Sequence, residues 1–380
     1  MKTRFMLAVV SCGLCWGQAA DDCKPSTLNV PGAQYPCVYS DNRVAFRLAA
    51  PDAQKVQVRL GKAYDMVRGA DGMWSVAIPP QVVGFHYYTL VVDGVTLADP
   101  ATRTFFGSGW DNSGIEIAEQ GADYYSAKDV AHGEVRQRWY FSKVTGKWRR
   151  CYVYTPPDYD SNVKARYPVL YLLHGWGENE QGWHVQGHVD FIMDNLIAAK
   201  QAKPMLIVMP LGYGTMEIVQ AGWQRVRSPE LWQRNVDKFR ESLLEEVLPQ
   251  VEQCYRVVAD RNSRAIAGLS MGGAESLMVG LNALDRFAWI GAFSTGGLNT
   301  NYPVLFPALN EKASRQLRLL WLGCGEQDGL LAGNQKLSEW LTSQGIRHTW
   351  LQTPGQHSFR VWRRYLAEFT PLLFQDKKRN

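Results

Sequence analysis

The first third of the chain alternates hydrophobic and polar positions. Four segments have a period of two: residues 44–48, 55–60, 74–78 and 87–92. This period is typical of half-buried strands. Turn-forming pairs such as Pro51-Asp52 and Asp93-Gly94 separate or follow them. Short strands at this spacing predict an all-β sandwich domain over residues 21–125.

The pattern changes beyond residue 131, where near-continuous apolar runs alternate with helical stretches. The runs are residues 167–173, 204–210, 264–269, 289–295, 317–324 and 348–353. The helical stretches are residues 189–199, 229–253, 270–283, 333–343 and 359–373. Uninterrupted apolar strands separated by helices predict a mostly parallel sheet covered on both faces. We therefore expect an α/β domain over residues 131–380, docked tightly on the sandwich.

Residues 1–20 have the pattern of a secretory signal peptide. Lys2 and Arg4 precede an apolar run that ends at Trp16, and small residues follow up to Ala20. The run is too short to span a bilayer. We expect cleavage near Ala20 and a secreted chain, periplasmic or extracellular, that has no membrane contact. Lipid anchoring at Cys12 is the alternative.

The net charge bears on possible partners of the protein, and the cysteines bear on its disulfides. The formal net charge of the 380 residues is only +5, which gives no electrostatic basis for binding nucleic acid. Cleavage near Ala20 leaves an odd number of cysteines, so at least one stays free or pairs between chains. Cys23 and Cys37 flank a Pro-containing segment, and we expect them to form a disulfide.

The segment Gly268-Leu269-Ser270-Met271-Gly272 follows an apolar strand and begins a helical stretch. A strand, a sharp turn and a helix are the context that a G-x-S-x-G nucleophile elbow requires. We predict that Ser270 is a nucleophile; the alternative is a plain helix N-cap.

A serine nucleophile needs a histidine base that is oriented by a carboxylate. Of the two histidines downstream, His357 lies in a loop between the last strand and the last helix, whereas His348 begins a strand. We predict His357 as the base. Asp328, in the loop after an apolar strand, is predicted as its carboxylate partner, with Glu326 as the competitor.

Acyl transfer also needs hydrogen-bond donors for the oxyanion that forms on the carbonyl. The backbone N–H of Met271, directly after the nucleophile, is one predicted donor. The second is the backbone N–H of Trp176, in the segment His174-Gly175-Trp176-Gly177 after an early strand. His174 itself is expected to be structural.

These motifs resemble the feruloyl and acetyl-xylan esterases of carbohydrate esterase family one. The similarity covers nearly all of residues 131–375. It rests on the following segments: Tyr154-Thr155-Pro156-Pro157, Tyr167-Pro168-Val169-Leu170, His174 to Glu178, Gly182-Trp183, Asp194 to Ile197, Gly268 to Gly273, Gly325 to Asp328 and His357-Ser358-Phe359. The residues before them resemble the immunoglobulin-like domains that precede many polysaccharide-active enzymes.

The resemblance implies an α/β-hydrolase fold and a secreted serine esterase with the triad Ser270, Asp328 and His357. It further implies release of hydroxycinnamate (ferulate) or acetate from plant cell-wall xylan, without a metal or other cofactor. Siderophore esterases and acyltransferases share the scaffold, so both remain alternatives. A carbohydrate-binding protein with a vestigial hydrolase domain is the non-enzymatic alternative.

Four aromatic residues are candidates for the acyl pocket: Trp176, Trp183, Tyr213 and Trp223. An aromatic acid would gain from stacking on such rings. His184 and His188 have a spacing that can bind zinc on a helix, but no third ligand accompanies them, so we predict no metal site. The predicted partner is an acylated polysaccharide such as arabinoxylan.

Overall fold

The computed structural model describes residues 22–220, 222 and 228–375. Its N-terminal part is built from strands. They are β1 (Lys24–Pro25), β2 (Cys37–Val38), β3 (Val44–Ala49), β4 (Val56–Leu60), β5 (Lys62–Asp65), β6 (Val67–Arg68), β7 (Met73–Ile78), β8 (Gly84–Val92), β9 (Val95–Leu97), β10 (Thr104–Gly107) and β11 (Trp110–Ile117). All pairings between them are antiparallel.

These strands form two sheets that share one core. The first has the order β1-β2-β3-β7-β6, and the second the order β10-β11-β8-β4-β5, with β9 beside β8. Alternate residues of both sheets are buried together, among them Phe46 of β3, Val58 of β4 and Ile115 of β11. The period-two pattern places these apolar side chains on the inner faces. The N-terminal part is therefore an all-β unit.

The second unit consists of strands alternating with helices. Its strands are β12 (Glu134–Ser142), β13 (Lys147–Thr155), β14 (Val169–Leu173), β15 (Leu206–Pro210), β16 (Arg264–Leu269), β17 (Trp289–Phe293), β18 (Leu319–Gly325) and β19 (Thr349–Thr353). Its helices are α1 (Gly182–Val185), α2 (Val189–Ala198), α3 (Glu217–Gln220), α4 (Pro229–Ser242), α5 (Leu248–Cys254), α6 (Met271–Gly280), α7 (Tyr302–Leu305), α8 (Glu311–Ser314), α9 (Leu331–Ser343) and α10 (Phe359–Phe369).

The eight strands form one mixed sheet with the order β12-β13-β15-β14-β16-β17-β18-β19. The β12–β13 and β13–β15 pairs are antiparallel, and the remaining pairs are parallel. The central strands β14, β16 and β17 are buried along their whole length. Because both faces are covered, these strands are apolar throughout rather than alternating.

Helices cover the sheet on both faces and separate two cores. Residues of α4, α5, α6 and α9 pack in one core, and residues of α2 and α10 pack in the other. A π-helical turn, Leu243–Val247, joins α4 to α5, so that residues 229–254 form one continuous helical segment.

The second core extends into the N-terminal unit and joins the two units. Phe85 of β8 packs edge-to-face on Phe359 of α10, with ring centroids 6.2 Å apart. Arg363, also on α10, is completely buried and bonds both carboxylate oxygens of Glu116 at 2.9 and 3.1 Å. Gln186 donates to the Tyr87 hydroxyl at 2.7 Å. The units are therefore packed through an apolar and ion-paired interface.

The predicted strands and helices of both units are present, with ends that differ by a few residues. The sequence did not predict β12 or the short helices α1, α3, α7 and α8, nor seven strands of the N-terminal unit: β1, β2, β5, β6, β9, β10 and β11. The Cys23–Cys37 disulfide is confirmed, and Cys151, Cys254 and Cys324 are free among the described residues.

Residues 1–20, with the predicted signal peptide and Cys12, lie outside the described residues. No helix in the described part of the chain has the length and apolar character to span a membrane.

Candidate active site

Ser270 lies at a sharp turn between β16 and α6. Its backbone has φ 51° and ψ −114°, in the positive-φ region that residues with a Cβ rarely adopt. The turn needs glycine on both sides. A Cβ at Gly268 would lie 2.6 Å from the Gly272 backbone, and one at Gly272 would lie 2.6 Å from the carbonyl oxygens of Leu173 and His174. This geometry lifts the Ser270 side chain above the end of the sheet.

Three side chains from separate loops meet at this turn. His357 Nε2 is 3.0 Å from Ser270 Oγ, and His357 Nδ1 is 2.8 Å from Asp328 Oδ2. An ionised carboxylate only accepts, so the Nδ1–H donates to Asp328 and Nε2 is left to accept the serine proton. Asp328 follows β18 and His357 follows β19, and both loops open at the carboxyl ends of parallel strands. The arrangement is that of a nucleophile, a base and an orienting acid.

The surroundings of Asp328 favour its ionised form. Burial alone would raise the pKa of this carboxyl, since its side chain is fully enclosed. The hydrogen bond from His357 and the one from the Leu330 N–H at 2.9 Å outweigh burial, so the pKa lies below its usual value. Asp328 is therefore charged at neutral pH and can hold the imidazole in one orientation.

The competing acid and base are placed elsewhere. His348 bonds Ser338 Oγ at 2.7 Å and the Ile346 carbonyl at 2.9 Å, which is a structural role. Glu326 begins the loop after β18, but the carboxylate that His357 contacts belongs to Asp328.

The predicted oxyanion donors belong to two segments near the serine. Met271 is the first residue of α6, and the first N–H groups of a helix have no partner within it. Trp176 belongs to the segment of residues 174–178 that follows β14, here called the oxyanion segment. A Cβ on its Gly175 would lie 3.4 Å from Ser270 Cβ, so the segment closely approaches the nucleophile.

Buried polar groups fix the shape of the oxyanion segment. The Gly212 N–H donates to His174 Nε2 at 2.9 Å, which leaves Nδ1–H to donate to the Gly175 carbonyl at 2.8 Å. Burial lowers the pKa of His174 to about 4, so the ring is neutral. The Tyr213 hydroxyl accepts from the Gly177 N–H and donates to the Glu178 carbonyl, both at 2.8 Å. His174 is therefore structural, as expected.

Glu178 is a further carboxyl in the same segment, and the sequence analysis assigned it no role. Its Oε2 accepts from the Gly175 N–H at 3.1 Å, and the side chain lines the cleft. Burial raises its pKa to about 7, although the bond from Gly175 acts in the opposite direction. An acid within a glycine-rich turn was the available signal.

A cleft of about 680 Å³ opens above Ser270 and His357. The α/β unit lines it with the oxyanion segment, the loop before α10 and Trp362 of α10. The N-terminal unit supplies the opposite wall with Leu60, residues 81–83 and residues 85–87. Sequence reasoning missed this wall, because no local pattern shows that the two units meet over the nucleophile.

The four predicted substrate-binding aromatics have different positions. Trp176 lines the cleft, and its Nε1 donates to the Ile218 carbonyl at 3.1 Å. Trp183 is 1% exposed and bonds the Leu173 carbonyl inside the core, so it does not reach the cleft. Tyr213 is also 1% exposed and supports the oxyanion segment from behind. For these two residues the expected substrate contact is wrong. Trp223 lies outside the described residues.

The two histidines with helical spacing take part in separate contacts. His184 Nδ1 lies 3.4 Å from Asp190 Oδ2, whereas burial lowers the pKa of His188 to about 3. Within the ranges that the structure describes, no group of three or more His, Cys, Asp or Glu side chains could hold a metal ion.

A family model and a curated relative match this chain. The model of the putative esterase family matches residues 142–373. An endo-1,4-beta-xylanase/feruloyl esterase of Xylanibacter ruminicola is 36% identical over 365 residues, which cover 93% of this chain and 48% of that protein. The chain spans about half the length of the curated relatives it matches.

Two solved structures share the fold. A CE1 ferulic acid esterase from Anaeromyces mucronatus has a TM-score of 0.58 and 24% identity, covering 67% of this chain and 95% of its own. Enterochelin esterase from Shigella flexneri has a TM-score of 0.64 and 18% identity, covering 88% of this chain and 92% of its own. The second match extends over both units. The family match covers more than half of the chain and confirms the resemblance noted above, so the chain belongs to the putative esterase family, whose relatives include feruloyl esterases of carbohydrate esterase family one.

Proposed function

We propose that this protein is a secreted serine esterase that releases ferulate or acetate from acylated xylan. The contact of His357 with both Ser270 and Asp328 is the observation that carries the proposal. The 36% identity to a xylanase/feruloyl esterase over most of the chain supports the substrate class. The N-terminal unit is proposed to be an immunoglobulin-like sandwich, and the signal-peptide pattern of residues 1–20 supports secretion.

In the proposed mechanism Ser270 Oγ attacks the ester carbonyl while His357 Nε2 takes its proton. The backbone N–H groups of Trp176 and Met271 stabilise the oxyanion of the tetrahedral intermediate. His357 then returns the proton to the departing alcohol, which leaves an acyl group on Ser270. A water molecule, deprotonated by His357, attacks this acyl-enzyme, and the acid leaves as Ser270 regains its proton.

The cleft can accommodate an aromatic acyl group. Trp176, Phe359 and Trp362 line it together with Phe85 of the N-terminal unit. A planar hydroxycinnamoyl group would bury its ring among such side chains, whereas an acetyl group would leave much of the cleft filled with water. The geometry therefore favours ferulate over acetate.

A siderophore esterase is the second candidate. The fold match to enterochelin esterase, which extends over both units, favours it. An anionic iron-siderophore complex would need unpaired cations in the cleft. Arg360, which lines the cleft, is already paired with Glu119, and this pairing favours an uncharged ester.

A substrate panel tests the proposal. Purified protein is given feruloylated xylo-oligosaccharide, acetylated xylo-oligosaccharide and a catecholate ester, and each released acid is quantified. We expect the highest kcat/KM with the feruloylated substrate and no turnover of it by the Ser270→Ala variant. Preferred cleavage of the catecholate ester would support the second candidate, and inactivity on all three would contradict both.

A further inference from the structure

Three exposed aromatic side chains form a cluster on the outer hairpin of the α/β unit. Trp139, Phe141 and Trp148 are 54%, 50% and 67% exposed, and we call them the aromatic platform. Among the described residues, only one other Trp or Phe, Trp110, is an exposed large hydrophobic. Contiguous exposed apolar surface of this kind marks an interaction site more often than scattered single residues do.

The strand register places the platform on one face of the hairpin. Phe141 pairs with Trp148 across β12 and β13, and their rings meet edge-to-face with centroids 5.8 Å apart. Trp139 lies two positions before Phe141 and therefore points to the same side. Farther along this face, Val135 and Tyr154 pack into the core beside α2. Within the part of the chain that the structure describes, the platform is the end of this sheet face that stays exposed.

Hydrogen bonds to a neighbouring helix anchor the hairpin that carries the platform. The N–H groups of Lys143 and Val144, at the tip of the hairpin, donate to Glu246 Oε1 at 2.6 and 3.1 Å. Glu246 belongs to the π-helical turn between α4 and α5. A rigid aromatic surface loses little conformational entropy when a ligand stacks on it.

The arginine beside Trp139 is already paired within the protein, so it is not a free cation that would select an anionic ligand. Arg150 lies over the Trp139 ring, 5.5 Å from its centroid, and is paired with the buried carboxylate of Glu180. The positive charge is thereby balanced within the protein. Glu180 lies two positions after Glu178 of the cleft wall, so the platform and the cleft are connected through one loop.

The edge of the hairpin opposes pairing with a second copy of this chain. β12 is the outermost strand of the sheet, and charged residues at its exposed positions, such as Glu134 and Arg138, protect such an edge from strand addition. The platform itself offers aromatic faces rather than the aliphatic side chains that dominate a protein core.

We propose that the aromatic platform binds a neutral polysaccharide chain, whose sugar rings stack on Trp139 and Trp148. This inference rests on the proposed function, because a polymeric substrate held there would keep its ester groups beside the cleft. The platform would then raise activity on polymer without changing the chemistry at Ser270.

The test compares the Trp139→Ala/Trp148→Ala double variant with the wild type. Binding is measured by affinity electrophoresis in soluble, chemically de-esterified arabinoxylan, and turnover is measured with methyl ferulate. Aromatic contacts of this kind are worth roughly twofold to tenfold in affinity each. We expect at least a fivefold loss of polymer affinity, unchanged kcat/KM for methyl ferulate, and intermediate binding for Trp148→Phe. The matched control, Trp110→Ala, removes an exposed Trp of the other unit and should retain platform binding.

Equal retardation of the double variant and the wild type would overturn the inference. It would also be overturned if the wild type were not retarded but formed a dimer in sedimentation experiments that the double variant did not form, since the platform would then bind a second copy. Failure of the wild type to hydrolyse methyl ferulate would instead contradict the proposed function, and the binding comparison would still decide the role of the platform.

Discussion

Changing Glu178 to Gln isolates the effect of a buried acid beside the nucleophile. Burial raises the pKa of Glu178 from 4.5 to about 7, so between these values the folded protein keeps a proton that the unfolded chain releases. The free energy of unfolding must then fall as the pH rises through this window. The slope is about 1.4 kcal/mol per pH unit. Across the window from pH 4.5 to about 7, the free energy of unfolding of the wild type therefore falls by about 3 kcal/mol, and that of the non-titrating Gln variant does not.

Urea unfolding followed by tryptophan fluorescence, from about pH 4.5 to about pH 8, measures this difference. The Gln side chain can still accept from the Gly175 N–H, so the oxyanion segment should keep its shape and the variant its activity. Glu339→Gln, which removes an exposed carboxyl from α9, is the control and should follow the wild type. Parallel stability curves for wild type and Glu178→Gln would refute the reasoning.

Three further changes test the site and its support. Asp328→Asn should lower kcat about 10³- to 10⁴-fold with little change in KM, measured with methyl ferulate, because the imidazole loses its charged partner. Gly272→Ala should lower the unfolding midpoint, since the new Cβ would lie 2.6 Å from backbone carbonyl oxygens; an unchanged midpoint would contradict the tight elbow. Arg363→Met should destabilise the protein by about 3–5 kcal/mol in urea unfolding, because Glu116 loses its buried partner, and Arg363→Lys should restore part of the loss.

The sequence predicted the parts of the fold that have a local pattern. The run at residues 264–269 is β16 without any change of bounds, because a central parallel strand is apolar at every position. β11 was missed because Asp111, Asn112 and Gly114 interrupt the alternation within it. β12 was missed because Trp139 and Phe141 are exposed, so burial does not set their pattern.

The candidate site likewise has one part that the sequence predicts, the three triad residues, and one part that it does not, the residues around them. Ser270, Asp328 and His357 each follow a strand at the carboxyl edge of the sheet, and this position could be predicted from the chain order. The residues that surround the triad could not be predicted, because their positions depend on packing between segments that are distant in the sequence. Trp183 and Phe85 are both aromatic, yet the first is enclosed in the core and the second lines the cleft from the other unit.

The central claim is that Ser270 carries the acyl group during turnover. Intact-mass spectrometry after rapid acid quenching of the protein with methyl ferulate tests it most directly, with peptide mapping to locate the adduct. We predict a single feruloyl adduct on the peptide that contains Ser270, and neither adduct nor turnover in the Ser270→Ala variant. Full activity of that variant, or an adduct on a different residue, would contradict the account.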